Sequence, residues 1–297
     1  MKPAAFTYLR LDTMAETLSF LAEHAGDAKA IAGGQSLMPM LNMRLATPDY
    51  LVDIDRLPGL DAAAPEPGGG LELGALVRHR DLATSGLIRD RAPLLSECAP
   101  LIGHAAIRNR GTFGGSLAHA DPAAELPAAL VALDATVRLA HADGERELAA
   151  EDFFLDVFTT ALRPGELVVG VRVPPAAPRA GCAIVEFARR HGDFALAGAA
   201  VRVTLGRDGC CVESRVVVFG AGGTPCRCLQ AEHLLQSRPL AGTMEASDVL
   251  AEAARQATAP LDPPGDVHAS GQYRREVAGV CVKRALVAAV KRATRCP

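Results

Sequence analysis

Two glycine-rich stretches are where this chain could do chemistry. The first is Ala32-Gly33-Gly34-Gln35-Ser36, inside "IAGGQSL", and the second runs from Gly111 to Ser116, "GTFGGS". A residue without a Cβ lets the backbone come close to a partner, so that neighbouring N–H groups can converge on an anion such as phosphate. Each stretch also leads into an expected helix, whose start adds partial positive charge. Ser36, Thr112 and Ser116 bring hydroxyl donors to the same places. Either stretch alone reads equally well as a tight turn. Two of them, in a chain with no other catalytic motif, point to a dinucleotide.

The common dinucleotide and nucleotide signatures are missing. Neither stretch fits Gly-x-Gly-x-x-Gly between a strand and a helix. "GAGGTP", residues 220–225, has Pro225 where the third glycine belongs; Thr224 and Pro225 read instead as a helix cap and first helical residue. No Gly-Lys-Ser/Thr phosphate loop occurs. The eight cysteines are scattered, with no Cys-x-x-Cys pair and no iron–sulfur spacing, and Cys226-x-Cys228 is too tight for a usual zinc pair. Reduced structural thiols are expected, with no metal or cluster held by this chain. A net charge of −3 advertises no nucleic-acid partner. No apolar run approaches the roughly 20 residues needed to cross a bilayer. "MKPAAFTYLRLDT" lacks a basic start followed by an apolar stretch, so a cytoplasmic protein is expected.

The elements that must position the two stretches follow from local pattern. Thr13 with Glu16 three residues on is a capping box, and Leu18, Leu21 and Ala22 supply the apolar stripe of the helix it opens, which Gly26 should end. "KAIAGG" is a short strand running into the first stretch, "SLMPMLNMRL" a helix with Ser36 as its cap, and "DYLVDI" a second strand. Residues 1–55 thus form a small βαβ-like unit. "PEPGGG" marks a surface turn and a seam. "LELGALVRHRDLAT" reads as a strand leading into a helix, and the segment around the second stretch as a loop followed by a helix. "DGER" is a hairpin turn and "GELVVGVRVPP" a strand. Beyond "PPAAP" the texture becomes a β-meander with a turn at Asp208-Gly209, then helices at "AEHLLQ" and "SDVLAEAARQAT" and a long final helix. Val277, Val280, Cys281 and Val287 recur on that last helix at helical spacing.

"IAGGQSLMPMLNMRLATPDYLVDI" and "IRNRGTFGGSLAHADPAAELPAAL" resemble the FAD-binding medium subunit of molybdenum hydroxylases, the family of the xanthine, carbon monoxide and nicotine dehydrogenase flavoproteins. "RRHGDFALAGAAV" and "HASGQYRREVAGVCVKRAL" carry the likeness towards the C-terminus, over nearly the whole chain. The resemblance implies an α+β protein: an FAD-binding fold of the vanillyl-alcohol-oxidase (PCMH) type in two α/β subdomains, residues 1–57 and 58–176, then an α+β domain over 177–297.

The resemblance also implies site residues. Ala32, Gly33, Gly34, Gln35 and Ser36 would wrap the FAD pyrophosphate, with Leu37 by the flavin or ribityl chain. Thr112, Gly114, Gly115 and Ser116 would close the second side. Ile102 matches an apolar position at the adenine end, and Glu125 a carboxylate that binds a cofactor hydroxyl. Asp121 reads either as a helix cap, with Pro122 at the first helical position, or as a direct FAD contact. Asp193 and Phe194 match a segment near the flavin ring, where Phe194 either stacks on the isoalloxazine or is a buried strand residue. His104 and His119 lack a partner motif and read as packing or surface residues. "AIVEFARR" lacks a lysine that some relatives carry there, and Gln35 stands where the carbon monoxide branch often has His.

By the same resemblance no residue here is catalytic in the acid–base sense. A large molybdopterin-binding partner hydroxylates the substrate. A small partner with two [2Fe–2S] clusters passes electrons to FAD on this chain, in a heterotrimer or a dimer of heterotrimers. The alternatives are a stand-alone flavin-dependent oxidoreductase and a non-catalytic nucleotide-binding module.

Overall fold

The computed structural model describes residues 2–241 and 245–296. Its first unit alternates strand and helix: β1 (Thr7–Leu9), α1 (Met14–Glu23), β2 (Ala28–Ile31), α2 (Leu37–Met43) and β3 (Tyr50–Asp53). The strands are parallel, in the order β1-β3-β2. The sequence pattern finds β2 and β3 but not β1, which is only three residues long and half-exposed. The capping box forms as expected: the Glu16 N–H donates to Thr13 Oγ1 and the Thr13 N–H to Glu16 Oε2, both at 3.2 Å. The helix stops at Glu23, before Gly26. Ser36 does stand before α2, but its hydroxyl makes no capping bond. The first glycine stretch lies at the C-terminal end of β2, where parallel strands conventionally present ligand-binding loops.

The second unit is an antiparallel sheet with helices packed over it. β4 (Ala63–Pro65) and β5 (Leu71–Gly74) come first, followed by α3 (His79–Thr84), α4 (Gly86–Arg91), α5 (Pro93–Cys98), α6 (Ala105–Arg110), α7 (Phe113–His119) and α8 (Glu125–Ala132). β6 (Thr136–His141) and β7 (Gly144–Ala149) form a hairpin, α9 (Ala150–Phe153) leads into the β8 (Phe154–Asp156) and β9 (Thr159–Thr160) ribbon, and β10 (Leu167–Val173) returns to the centre. The sheet order is β4-β5-β10-β6-β7. Around the second glycine stretch the single expected helix is three. α6 ends at Arg110, and α7 starts at Phe113, so Gly114, Gly115 and Ser116 lie inside its first turn. α8 is buried along its whole length, which is why it reads as continuously apolar and carries no surface stripe.

The third unit is the expected meander. β11 (Ala180–Phe187), β12 (Ala197–Leu205), β13 (Cys211–Phe219) and β14 (Cys226–Arg227) pair antiparallel in that order. Gly209 turns the β12–β13 connection with φ of 79°. Thr224 and Pro225 do not open a helix; they lead into β14, and α10 (Leu229–Leu235) begins later. α12 (Gly271–Arg295) covers the sheet, and α11 (Glu245–Thr258) packs on α10 and α12. The buried face of α12 is not the valine stripe. Val280 and Val287 are about half exposed, while Ala278, Ala285, Ala289 and Ala293 are fully covered beside Cys281, Val282 and Leu286. Close approach contributes at one point: a Cβ at Gly181 in β11 would collide with the Ala289 carbonyl of α12, so helix and sheet meet there through small residues. α8 and α5 pack against this sheet from the other side, joining the third unit to the second in one core.

Candidate functional site

The first glycine stretch has the bare backbone its composition suggests. Gly34 adopts φ of 72°, a left-handed conformation that favours glycine. Gly33 is needed for a different reason: a Cβ there would strike the carbonyl oxygen of Arg110, at the entrance to the second stretch. The two stretches therefore touch backbone to backbone. Among the described residues, no acceptor faces the N–H groups of Gly33, Gly34, Gln35 and Ser36. The Gln35 amide turns back to the Gly33 carbonyl at 3.0 Å, away from those donors. A run of unsatisfied N–H groups on partly exposed backbone suits an anion such as a pyrophosphate.

A cleft of about 580 Å³ opens beside this loop, lined by Tyr8, Arg10, Gly33, Gln35, Asp53 and Arg110 among others. Its charges are organised at the strand ends. Tyr8 Oη donates to Asp53, and Arg10 Nη2 reaches the same carboxylate at 2.5 Å. Burial opposes the charged form of Asp53, but these hydrogen bonds outweigh it and hold the carboxyl below its ordinary value. A larger cavity, about 660 Å³, lies between α1 and the second sheet. Arg138 on its rim is already paired with Glu72 and Glu145, and none of the glycine-loop residues lines it.

The second stretch differs from the first. The Phe113 N–H donates to the Val77 carbonyl at 2.8 Å, Gly114 to Ala75 at 2.7 Å, and Gly115 to Thr112 Oγ1 at 3.3 Å. Apart from the buried Thr112, its backbone donors are spent on the protein. A Cβ at Gly114 would collide with Ala75, so this glycine secures close packing. What the stretch offers outward is Gly115, exposed, and the hydroxyl of the half-buried Ser116, which has no hydrogen-bond partner among the described residues.

Residues that sequence reasoning missed hold the two stretches together. Arg78 Nη1 donates to the Arg110 carbonyl at 2.5 Å and Nη2 to Asp55 Oδ1 at 2.6 Å, tying the second unit to the first. Arg110 faces the same Asp55 at 3.6 Å. His79 is buried; its Nε2 donates to the Thr112 carbonyl at 3.0 Å and its backbone N–H to the Gly111 carbonyl at 3.1 Å. Burial pushes its pKa down to about 4, so the ring is neutral, and Nδ1 stays unpartnered against Gly111. A Cβ at Gly111 would meet that nitrogen. The signal in the sequence was "LVRHRD", two cations and a histidine directly after a strand.

The remaining expected residues form a second group. Asp121 does not cap α8; its Oδ1 accepts from the Ala123 N–H at 2.8 Å in a turn that precedes the helix, and Pro122 lies in that turn. Glu125, the first residue of α8, is 7% exposed and faces Glu186 of β11. Burial first, then the neighbouring Glu186, raises its carboxyl to about 8; burial raises Glu186 to about 7. Glu186 Oε2 is buried with no partner. Ile102 is half-buried, in a loop whose carbonyls at 102 and 103 accept from Arg108. The loop bearing Asp193 and Phe194 rests on it, with Gly192 against the Gly103 carbonyl. Phe194 is not a buried strand residue: it is 71% exposed, just before β12. His104 is exposed and His119 stacks on Phe158, as packing or surface residues do.

Residues 4–176 match the family model of the FAD binding domain in molybdopterin dehydrogenase, and residues 183–289 that of the CO dehydrogenase flavoprotein C-terminal domain. The chain is 46% identical to the 6-hydroxypseudooxynicotine dehydrogenase complex subunit alpha of Paenarthrobacter nicotinovorans, covering 99% of this chain and 97% of that one. It superposes on a chain of carbon monoxide dehydrogenase from Hydrogenophaga pseudoflava with a TM-score of 0.93 at 36% identity, over 100% of both. A chain of quinoline 2-oxidoreductase from Pseudomonas putida 86 gives 0.92 at 34% identity, over 99% of both. No helix among the described residues is long and apolar enough to cross a membrane.

Proposed function

Since the chain belongs to the FAD-binding medium subunits of the molybdenum hydroxylases, an oxidoreductase family, we propose that it relays electrons from a [2Fe–2S] partner subunit through FAD to an external acceptor. The observation that carries this reading is the run of unsatisfied N–H groups from Gly33 to Ser36, held against the second glycine stretch by the Gly33–Arg110 contact. That geometry fits a diphosphate.

In this reading Ala32, Gly33, Gly34, Gln35 and Ser36 hold the pyrophosphate through backbone donors, and Leu37 flanks the flavin. Thr112, Gly114, Gly115 and Ser116 close the other side through hydroxyl and shape, since the backbone donors of Phe113 to Ser116 are spent. Ile102, Asp121, Glu125, Asp193 and Phe194 complete the site, with Phe194 exposed and free to cover a flat ring. When bound, FAD supplies the redox chemistry, and the chain supplies position and electrostatics. Arg78 and His79 act as positioning residues, fixing the second stretch relative to the first. Residues 1–57 and 58–176 would be the two halves of the FAD-binding region and 177–297 the third domain. The partners would be a large molybdopterin-binding subunit and a small subunit with two [2Fe–2S] clusters, in a cytoplasmic heterotrimer or its dimer.

The test is the visible spectrum of the chain purified alone and with co-purifying subunits. Flavin bands, with FAD and not FMN released on denaturation, are expected, and added iron–sulfur absorbance in the complex. A colourless chain that refuses added FAD would overturn the site. Flavin without any iron–sulfur or molybdenum partner would overturn the relay.

A further inference from the structure

We propose that Cys226 and Cys228 are a peroxide-oxidised thiol pair that closes to an intrachain disulfide at the edge of the third sheet. The Cys-x-Cys spacing puts both side chains on one side of the chain, and the Cys228 sulfur lies 3.5 Å from the Cys226 carbonyl oxygen. Arg227 between them turns the other way, to Glu232 and, across to α9, Glu151 at 2.9 Å. Cys226 sits on β14, the outermost strand, and is partly open to solvent. Cys228 is buried, with its thiol directed at the carbonyls of Ala257 and Cys226 at 3.4 and 3.5 Å. One thiol is reachable and the other is waiting behind it, the arrangement of an attacking and a resolving cysteine.

The contrast with the other thiols sharpens this. The neighbouring Cys228 favours the Cys226 thiolate and lowers its pKa, against the effect of partial burial. Burial raises Cys98, Cys182, Cys211 and Cys281, and the Asp208 carboxylate raises the half-exposed Cys210. The chemistry balances in two steps. The Cys226 thiolate attacks one oxygen of hydrogen peroxide, forming a sulfenic acid and releasing hydroxide. The Cys228 sulfur then displaces that hydroxyl, the S–S bond forms, and the thiol proton leaves with it as water. Two electrons pass from the sulfurs to the peroxide O–O bond. A thiol reductant reverses the change.

The experiment uses the full chain, reduced, freed of reductant and titrated with hydrogen peroxide at neutral pH. Free thiols are then alkylated and the peptides weighed. The peptide holding residues 226 and 228 should lose two hydrogens and escape alkylation before the Cys210 peptide changes. In Cys228→Ser, dimedone should trap a sulfenic acid on Cys226; in Cys226→Ser, Cys228 should stay reduced. Alkylation of Cys226 in the untreated chain should outpace Cys210 about fivefold, because the gain in thiolate exceeds the accompanying loss of nucleophilicity. A doubly alkylated 226–228 peptide alongside oxidised Cys210 overturns the proposal, as does alkylation of Cys226 no faster than that of Cys210.

Discussion

Glu125 and Glu186 make a prediction about pH that the rest of the molecule does not share. In the unfolded chain each glutamate would titrate near 4.3. In the fold, burial and mutual contact raise Glu125 to about 8 and burial raises Glu186 to about 7. The folded chain thus keeps a proton that the unfolded chain has released. Stability from this proton is fully present below the unfolded pKa and is lost as pH rises through the folded one. Asp121 adds to the charge that disfavours ionising Glu125, while the nearby Cys98 and Cys281 thiols, raised by burial first and then by the glutamates, stay neutral and add no charge of their own. Counting only Glu125, the better buried of the two, stability should fall by about 1.4 kcal/mol per pH unit, or about 2 kcal/mol between pH 5.5 and 7.

The assay is urea unfolding at several pH values for the native chain and for the Glu125→Gln/Glu186→Gln double variant, with FAD and after its removal. The difference between the two chains is the informative quantity. His79, depressed to about 4, stabilises as pH rises from its folded to its unfolded pKa, and the lowered Cys226 does so at higher pH; both contributions are common to the two chains and cancel. The variant should gain on the native chain steadily from pH 5.5 to 8, since two amides can hydrogen-bond with no proton to lose. A difference that is flat, or that moves the other way, would refute the shared-proton account of this contact. Because α8 and β11 belong to different units, the same proton also governs how firmly the second and third units adhere.

Four further outcomes follow from the site geometry. Gly33→Ala should drive a methyl into the Arg110 carbonyl, costing about 1–3 kcal/mol and most of the bound FAD, read by urea midpoint and by flavin released per chain. Arg78→Ala should strand the Arg110 carbonyl and leave Asp55 only its 3.6 Å contact with Arg110, lowering stability by about 2 kcal/mol, and Arg78→Lys should recover only part of it because one ammonium cannot span both acceptors. Phe194→Ala should leave the unfolding midpoint within about 0.5 kcal/mol, given its 71% exposure, while changing flavin fluorescence; an unchanged fluorescence would remove Phe194 from the site. Thr13→Ala should cost about 1 kcal/mol through loss of the capping box and leave FAD content untouched.

What the sequence makes legible is what local chemistry decides. The capping box at Thr13 and Glu16 involves only neighbours, and it forms as written. The glycine stretches are legible because only a missing side chain permits φ of 72° at Gly34 or the contact at Gly33. Their division of labour is not legible, because it depends on Ala75 and Val77 taking the N–H groups of the second stretch from nearly forty residues upstream. The pins at Arg78 and His79 are hidden for the same reason: nothing in "LVRHRD" says that a carbonyl at Arg110 and a carboxylate at Asp55 will arrive together. α12 shows the opposite failure, where a sound local rule loses to packing. Valines mark the apolar stripe on paper, yet Ala278, Ala285, Ala289 and Ala293 take the core beside Val282 and Leu286, the helix comes close to the sheet at Gly181, and Val280 and Val287 face outward. Periodicity reports which residues could be buried; how near the neighbour stands decides which ones are.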